Sequence, residues 1–376
     1  MKKDFQILGF IQAKNEYPLI LMSVIYALKN HVDRVYIIND HSDDLSEHAF
    51  NFLQLYWKGR VHITNVHNDS FQQEEKINLA IRLANPKPSD WIYVFDADEF
   101  LITKNNQPLK HIIKNLKSAS AIRYSLTNWI SYTDFNDDNF NDYNQIFYRS
   151  NPSLGTIDYK LQIKNISKGK NTFFDYQFNK KIIFKFKEDC WLSAGSHEIR
   201  PQSMFKAIDV NKSLIDGVHL PFISKARLYK KALTGEKHIK ERSPKFHGWQ
   251  NQLLYRYKKL GKLDRFWLSH SLDRKLTKQS IQNITFDRKF SRAILSTVSI
   301  LKKKWPNYLS KDIKISPGPS TYLSFESVSS LLSSVARINK KVKDDVIREQ
   351  SYTQNKKKLF KVFLNIKNII NKAFYS

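Results

Sequence analysis

Over about the first hundred residues, short apolar runs alternate with segments whose apolar positions recur at helical spacing. Residues 5–12 are apolar nearly throughout, which predicts a strand buried on both faces. After Ala13-Lys14-Asn15-Glu16, Pro18 suits the first turn of a helix reaching about Asn30, with Leu19, Met22, Ile25, Tyr26 and Leu28 as its apolar face. A second strand is predicted at 35–38. It ends in Asn39-Asp40-His41-Ser42-Asp43-Asp44, before a helix carrying Leu45, Phe50, Phe52, Leu53 and Leu55. A third strand at 61–65 and a third helix at 74–83 lead to a fourth strand, Trp91-Ile92-Tyr93-Val94-Phe95-Asp96-Ala97-Asp98-Glu99-Phe100. Such alternation predicts an α/β protein with a Rossmann-like, mostly parallel sheet flanked by helices. Sheets of this kind bind ligands at the carboxyl ends of their strands. Here those ends carry Asn15 and Glu16, then Asp40, Ser42 and Asp43, then Asp96, Asp98 and Glu99.

From Ala119 the pattern changes. Residues 120–128 alternate like a strand, and 129–144 read as a polar loop rich in Asp and Asn with interleaved aromatics. Further short strands are predicted at 145–148, 180–186 and 191–194, with 167–179 exposed between them. Two histidine segments follow, Gly195-Ser196-His197-Glu198 and Val218-His219-Leu220-Pro221-Phe222. Helices resume near Ser224, with Arg227, Lys230 and Lys231 on a basic face, and beyond Gly235 the chain reads as helical, basic and aromatic. Ser316-Pro317-Gly318-Pro319-Ser320 is its best linker. The implied organisation is a first domain over 1–235, divided into halves at 118, then a helical basic region over 236–315 and a linker with tail over 316–376.

The chemistry concentrates in the fourth strand. In an extended segment residues two apart share a side, so Asp96 and Asp98 are expected to converge on one ion. Carboxylates held that close repel unless a cation or a shared proton intervenes, and Mg2+ or Mn2+ suits oxygen ligands. The plainer alternative is a strand followed by an acidic turn. No G-x-G-x-x-G and no Walker A loop is present, so neither a dinucleotide site nor a P-loop is supported.

Composition narrows the setting. Hydrophobic residues make up 41% of the 376 and aromatics 13%, ample for a core, so the chain is not a disordered one. The net charge of +27 implies attraction to an anionic partner such as nucleic acid, lipid headgroups or phosphorylated substrates. Part of that charge is discounted, because lysine far exceeds arginine and asparagine and isoleucine abound, as in AT-rich coding. Cys190 is the only cysteine, which fits a reducing compartment, and no window suggests a signal peptide or a membrane span. Residues 356–372 hold six lysines and no acid, with Leu359, Val362, Phe363, Ile366, Ile369 and Ile370 at helical spacing. That is a basic amphipathic helix, suited to an anionic membrane surface or to packing on protein. A cytoplasmic protein, resting on the inner face of the membrane where the tail engages it, is the expectation.

Taken in order, Ala13-Lys14-Asn15-Glu16, the acidic turn 39–44, the Asp96-Ala97-Asp98-Glu99-Phe100 strand end, Asn128-Trp129, Gly195-Ser196-His197 and His219-Leu220-Pro221-Phe222-Ile223-Ser224 with Lys231 and Gly235 resemble a family 2-type glycosyltransferase of the GT-A fold. The resemblance is to the bacterial branch whose strand ends in Asp-x-Asp-Glu-Phe, and it spans about residues 5–240. It implies transfer of a sugar, with inversion, from a nucleotide-sugar donor, a UDP-sugar by preference, to the hydroxyl of a glycan or lipid-linked acceptor. It further implies a role in bacterial surface glycan synthesis. On this resemblance Asp96 and Asp98 hold Mn2+ or Mg2+ at the departing diphosphate, Asp96 also reaching ribose, and His219 supplies a further metal contact. Asn15, Glu16 and Asp40 bind nucleobase and ribose, and Arg227, Lys230 and Lys231 neutralise phosphate.

An inverting transfer also needs a base for the acceptor's proton. Candidates are His197 with Glu198, Asp134 or Asp137 of the aromatic loop, and Glu99 beside the Asp-x-Asp pair; a turn histidine bonded to backbone is the competing reading of His197, as a structural role is of His219. Trp129 and Trp249 suit either sugar stacking or a core. Two other functions compete. A haloacid dehalogenase-type phosphohydrolase also uses Asp-x-Asp at a strand end, but Glu99-Phe100 replace the usual Thr or Val and no later Gly-Asp pair follows. A nucleic-acid-binding protein would explain the charge, yet no recognised motif supports specific binding and the sheet edge is acidic.

Overall fold

The computed structural model describes residues 5–66, 73–155, 159–240, 248–275, 281, 283–310 and 321–323. The proposed linker at 316–320 and the tail at 356–372 lie outside them. β1 (Ile7–Ala13), β2 (Arg34–Asn39), β3 (Val61–Val66) and β4 (Trp91–Val94) form a parallel core, with β1 between β2 and β4. α1 (Leu19–Asn30), α2 (Ser46–Tyr56) and α3 (Gln73–Leu83) connect them. Because these strands run parallel, Ala13, Asn39 and Val94 all end at one edge. The chain then makes β5 (Glu99–Thr103), α4 (Leu109–Asn115), β6 (Ala121–Tyr124), β7 (Leu126–Ile130), α5 (Phe140–Tyr143), β8 (Tyr148–Ser150), α6 (Tyr159–Ser167) and β9 (Lys181–Lys185). A two-stranded hairpin of β10 (Trp191–Leu192) and β11 (Ile199–Arg200) precedes β12 (Ala207–Asp209), β13 (Ile215–His219) and α7 (Lys225–Lys240). α8 (Trp249–Lys259), α9 (Leu263–Ser269), β14 (Ile284–Phe286), α10 (Lys289–Leu309) and β15 (Thr321–Leu323) complete the described elements.

The large sheet runs β12-β6-β9-β4-β1-β2-β3-β15, and only β9 is antiparallel to its neighbours. A second sheet, β14-β8-β7-β13-β5, stands where the chain leaves β4. The expected α/β architecture, a mostly parallel sheet flanked by helices with more helices downstream, is the one observed. Four local expectations are corrected. The run 91–100 is not one strand: β4 stops at Val94 and a turn closed by Glu99 N–H to Asp96 C=O at 3.0 Å sends β5 into the other sheet. The run 120–128 likewise divides at Ser125 between two sheets. The strand expected at 145–148 starts only at Tyr148. Residues 167–179, expected to be exposed, bury Phe173, Phe174 and Tyr176, whose rings overcome the polar residues around them.

α1 differs from its predicted single apolar face: Leu19 to Leu28 are all buried. The sheet covers one side, and α10 covers the other with Phe290, Ile294, Val298, Leu301 and Trp305, spaced three and four residues apart. Truncating one of those aromatics costs about 3–5 kcal/mol. A separate aromatic core gathers Phe173, Phe174, Phe222, Trp249, Phe266 and Trp267 under α7, α8 and α9. There Gly235 allows α7 to touch α8, since a Cβ at that position would lie 1.8 Å from the Asn251 carbonyl oxygen. Trp129 is buried against Phe290 and Trp249 lies in this second core, so neither offers a free face to a sugar.

Candidate active site

The ends of β1, β2, β4 and β13 meet at one edge, and the acidic turn 95–98 lies among them. Asp98 is buried there. Its Oδ2 accepts from Lys231 Nζ at 2.7 Å, and Lys231 also donates to the Pro221 carbonyl at 2.8 Å. The Asp98 carbonyl in turn accepts from Leu220 N–H at 2.9 Å, which fixes the turn to the end of β13. Burial by itself would raise the Asp98 pKa, but Lys231, His219 and Arg227 together outweigh it and hold the carboxyl well below the usual range.

His219 ends β13, between Glu99 of β5 and Asn128 of β7. Its Nδ1 bonds Asn128 Oδ1 at 2.8 Å, so the ring proton sits on Nδ1 and the Nε2 lone pair is left over. That Nε2 lies 3.9 Å from Asp98 Oδ2. Burial lowers the His219 pKa to about 4, despite the nearby Asp98, so the ring is neutral at pH 7. A lone pair and a carboxylate oxygen thus face one another.

Asp96, only two residues from Asp98, goes elsewhere. Its Oδ2 pairs with Lys181 Nζ at 3.1 Å, and Lys181 also pairs with Glu99 Oε1 at 3.0 Å. In place of the shared ion expected of an extended strand, Asp96 and Asp98 pair with different lysines, Lys181 and Lys231. Lys181 opens β9 and is buried; burial opposes its charge, but Asp96 and Glu99 prevail and raise its pKa. Burial also raises that of Glu99, against the pull of Lys181. Nothing in the sequence singled out Lys181, the second of two adjacent lysines that head an apolar run.

Half-buried Glu16 and buried Arg227 form a second link. The Arg227 guanidinium pairs with Glu16 Oε2 and donates to the Tyr17 carbonyl at 3.4 Å, joining the β1 loop to α7. Burial raises the Glu16 pKa although Arg227 opposes it. Asn15, at φ +57°, trades hydrogen bonds with Asp43, its Nδ2 donating to Oδ1 at 2.6 Å. Asp40 accepts from buried Lys76 at 2.7 Å and from Gln12 Nε2 at 2.9 Å. His197 accompanies this edge: its Nδ1 contacts the Lys180 carbonyl at 3.1 Å, and burial, then Lys181, lower its pKa to about 4. Glu74 of α3 helps fix that segment by accepting from Ala194 N–H at 3.1 Å. Asp134 is not brought in; it is exposed and bound to Arg274 at 2.6 Å, whereas Asp137 of the same loop is buried.

For a divalent cation the donors Asp98 Oδ2 and His219 Nε2 fit, since Mg2+ or Mn2+ often takes one or two protein ligands and completes its shell with water and phosphate. Among the described residues no three His, Cys, Asp or Glu side chains converge as ligands.

No family model and no curated protein matches the sequence. Among solved structures the chain is similar to S. aureus TarS 1–349, with 9% identity over 79% of this chain and 83% of that one, at a TM-score of 0.34. Mannose-6-phosphate isomerase from Helicobacter pylori shares 11% identity over 48% and 71%, at 0.27. GalNAc-T7 with UDP, GalNAc and Mn2+ shares 12% over 71% and 56%, at 0.32. Similarities this low carry no argument, and the site's own residues have to supply it. No described helix is long and apolar enough to cross a membrane.

Proposed function

We propose that this protein is a glycosyltransferase that moves a sugar from a nucleotide-sugar, a UDP-sugar by preference, to an acceptor hydroxyl. The observation that carries this reading is the meeting of Asp98 and neutral His219 at the carboxyl edge, with Lys231 and Arg227 beside them. Asp98 and His219 would hold Mn2+ or Mg2+, which when bound offsets the charge that grows on the leaving diphosphate. Among the described residues Lys231 is tied to Asp98 and to the Pro221 carbonyl, so it is placed to turn to phosphate when a cation takes the carboxylate. Arg227 adds fixed positive charge at the same edge. Asn15, Glu16 and Asp40 line the strand ends where the nucleoside would lie, and Lys181 keeps Asp96 and Glu99 in place. His197, neutral beside Asp96 and Lys181, remains a candidate for the acceptor's proton. Inversion, the surface-glycan setting, a lipid-linked acceptor and contact with the inner face of the membrane follow from the sequence resemblance and the basic tail.

Calorimetric titration with UDP tests the reading. UDP is expected to bind in the presence of Mn2+ and to lose about 100-fold in affinity in Asp98→Asn and about 10-fold or more in His219→Ala. Equal affinity with and without Mn2+ in every variant would remove the metal from the proposal. Release of phosphate from phosphomonoesters without UDP binding would favour a phosphohydrolase instead.

A further inference from the structure

α10 is 21 residues long, and it carries Lys289, Arg292, Lys302, Lys303 and Lys304 but no acidic residue. Its inner side packs on the core, where Trp305 and Tyr308 meet Phe52 of α2 at 5.2 and 5.3 Å. The outer side presents three consecutive exposed lysines, Lys302, Lys303 and Lys304. Leu295 and Leu309 stand seven residues before and after Lys302, so all three share one flank of the helix. Those leucines are 52% and 44% exposed. On the opposite flank Lys304 Nζ lies 5.7 Å from the centre of the Tyr56 ring, at the end of α2. Tyr56 is 40% exposed and its neighbour Leu55 59%. Residues 48–60 contain no acid either, and Lys58 adds an exposed cation two residues after Tyr56.

Single exposed leucines are ordinary on a protein surface. Here leucines and a tyrosine border a row of lysines on both sides, and neither segment holds a carboxylate. Nucleic acid would engage the lysines alone and leave Leu55 and Leu309 unused. A lipid interface uses both kinds of group. Apolar side chains reach the acyl boundary, while lysine stems lie along it and carry their ammonium groups to the phosphates. The net charge of +27 favours an anionic surface over a neutral one. The inner side of the same turn of α10 meets the donor edge, since Trp305 Nε1–H donates to the Tyr17 hydroxyl at 3.3 Å. The outer surface therefore backs onto the loop that carries Glu16.

We propose that the outer face of α10, with the end of α2, docks this protein on an anionic lipid surface. The face is distinct from the basic tail at 356–372, and the assignment does not depend on sugar transfer.

Cosedimentation of the full chain with vesicles tests this. Binding is expected to phosphatidylglycerol vesicles and to be weaker by about tenfold or more on phosphatidylcholine. Changing Lys302, Lys303 and Lys304 together to Gln should weaken binding about 100-fold, at about fivefold per lysine. Leu55→Glu should weaken it about tenfold and leave the melting temperature unchanged, because the side chain is exposed. Full binding in both variants, with loss only when the lysines of 356–372 become Gln, would assign the membrane to the tail and overturn this surface. Equal binding to both kinds of vesicle, or binding to neither, would also overturn it. Duplex DNA binding that falls in the lysine variant but not in Leu55→Glu, without vesicle binding, would make the row a nucleic-acid surface instead. A dimer that Leu55→Glu dissociates, again without vesicle binding, would place a second copy there.

Discussion

Asp96 and Asp98 stand two residues apart in one turn, yet they occupy opposite electrostatic situations. Asp96 is 41% exposed and is held by a lysine that is 3% exposed and shared with buried Glu99. Asp98 is 11% exposed and is held by a lysine that is 21% exposed. In the first centre the buried cation is the fixed point and its carboxylates serve it. In the second the carboxylate is fixed and its cation is replaceable, with the His219 lone pair waiting at 3.9 Å. A short acidic motif can thus hold two ion pairs of unequal burial within three residues.

The largest expected effect separates the two lysines. Lys181→Met leaves Glu99 buried without its counter-charge and is expected to cost about 3–5 kcal/mol. Lys231→Met strands Asp98 in the same way and costs a similar amount. Only the second should recover with Mn2+, by about 2.7 kcal/mol at a concentration 100 times the Kd. Thermal melting with and without Mn2+ checks this, and recovery of Lys181→Met instead would reverse the roles assigned to the two centres.

The aromatic core sharpens the contrast, because it keeps a buried base uncharged where the acidic turn pairs its charges. His270 stacks on Phe266 at 3.8 Å, and its Nε2 accepts from Phe173 N–H at 2.9 Å. Burial lowers its pKa from 6.5 to about 4. The unfolded chain therefore takes up the proton first as pH falls. Stability contributed by the neutral ring is complete above about pH 6.5, declines as pH drops, and is gone below about pH 4. The full loss is about 3 kcal/mol. His270→Gln should be less stable at pH 7 and should lessen the pH dependence between 6.5 and 4 by about one proton. An unchanged slope in denaturant titrations would show that His270 is not held neutral.

Next comes the split between the aspartates themselves. Asp98→Asn should lower Mn2+-dependent UDP affinity about 100-fold, or about 2.7 kcal/mol, and Asp96→Asn less than 10-fold. Equal losses would mean that both carboxylates reach the ligand and that Asp96 leaves Lys181 on binding.

The parallel core was legible because periodicity and strand-end polarity are local properties. Residues 5–12 read as a doubly buried strand, and β1 is one. The turn at 95–98 was not legible, since the same apolar-to-acidic run suits a continuous strand. What decides it is a partner far away: β9 enters antiparallel beside β4 and brings Lys181 within 3.1 Å of Asp96, 85 residues earlier. Lys231 was anticipated as a phosphate-binding cation, but its bond to Asp98 depends on how α7 leaves β13. α10 carries a clear helical period, while its covering of α1 appears only once the chain has folded back.

The smallest predicted effect lies one residue from the second centre. Lys230 and Lys231 are consecutive on α7, so their side chains point about 100° apart. Lys231 reaches inward to Asp98, whereas Lys230 is 51% exposed and meets Asp44 at 3.4 Å. Solvent screens that outer pair, so Lys230→Gln should change stability by less than about 0.5 kcal/mol. Its charge still adds to the field at the strand ends, and UDP affinity should fall about two- to threefold at low salt. That difference should vanish near 1 M salt, where charges are screened beyond about 3 Å. A loss that persisted at high salt would place Lys230 in direct contact with the nucleotide, and α7 would then present two phosphate-binding lysines instead of one.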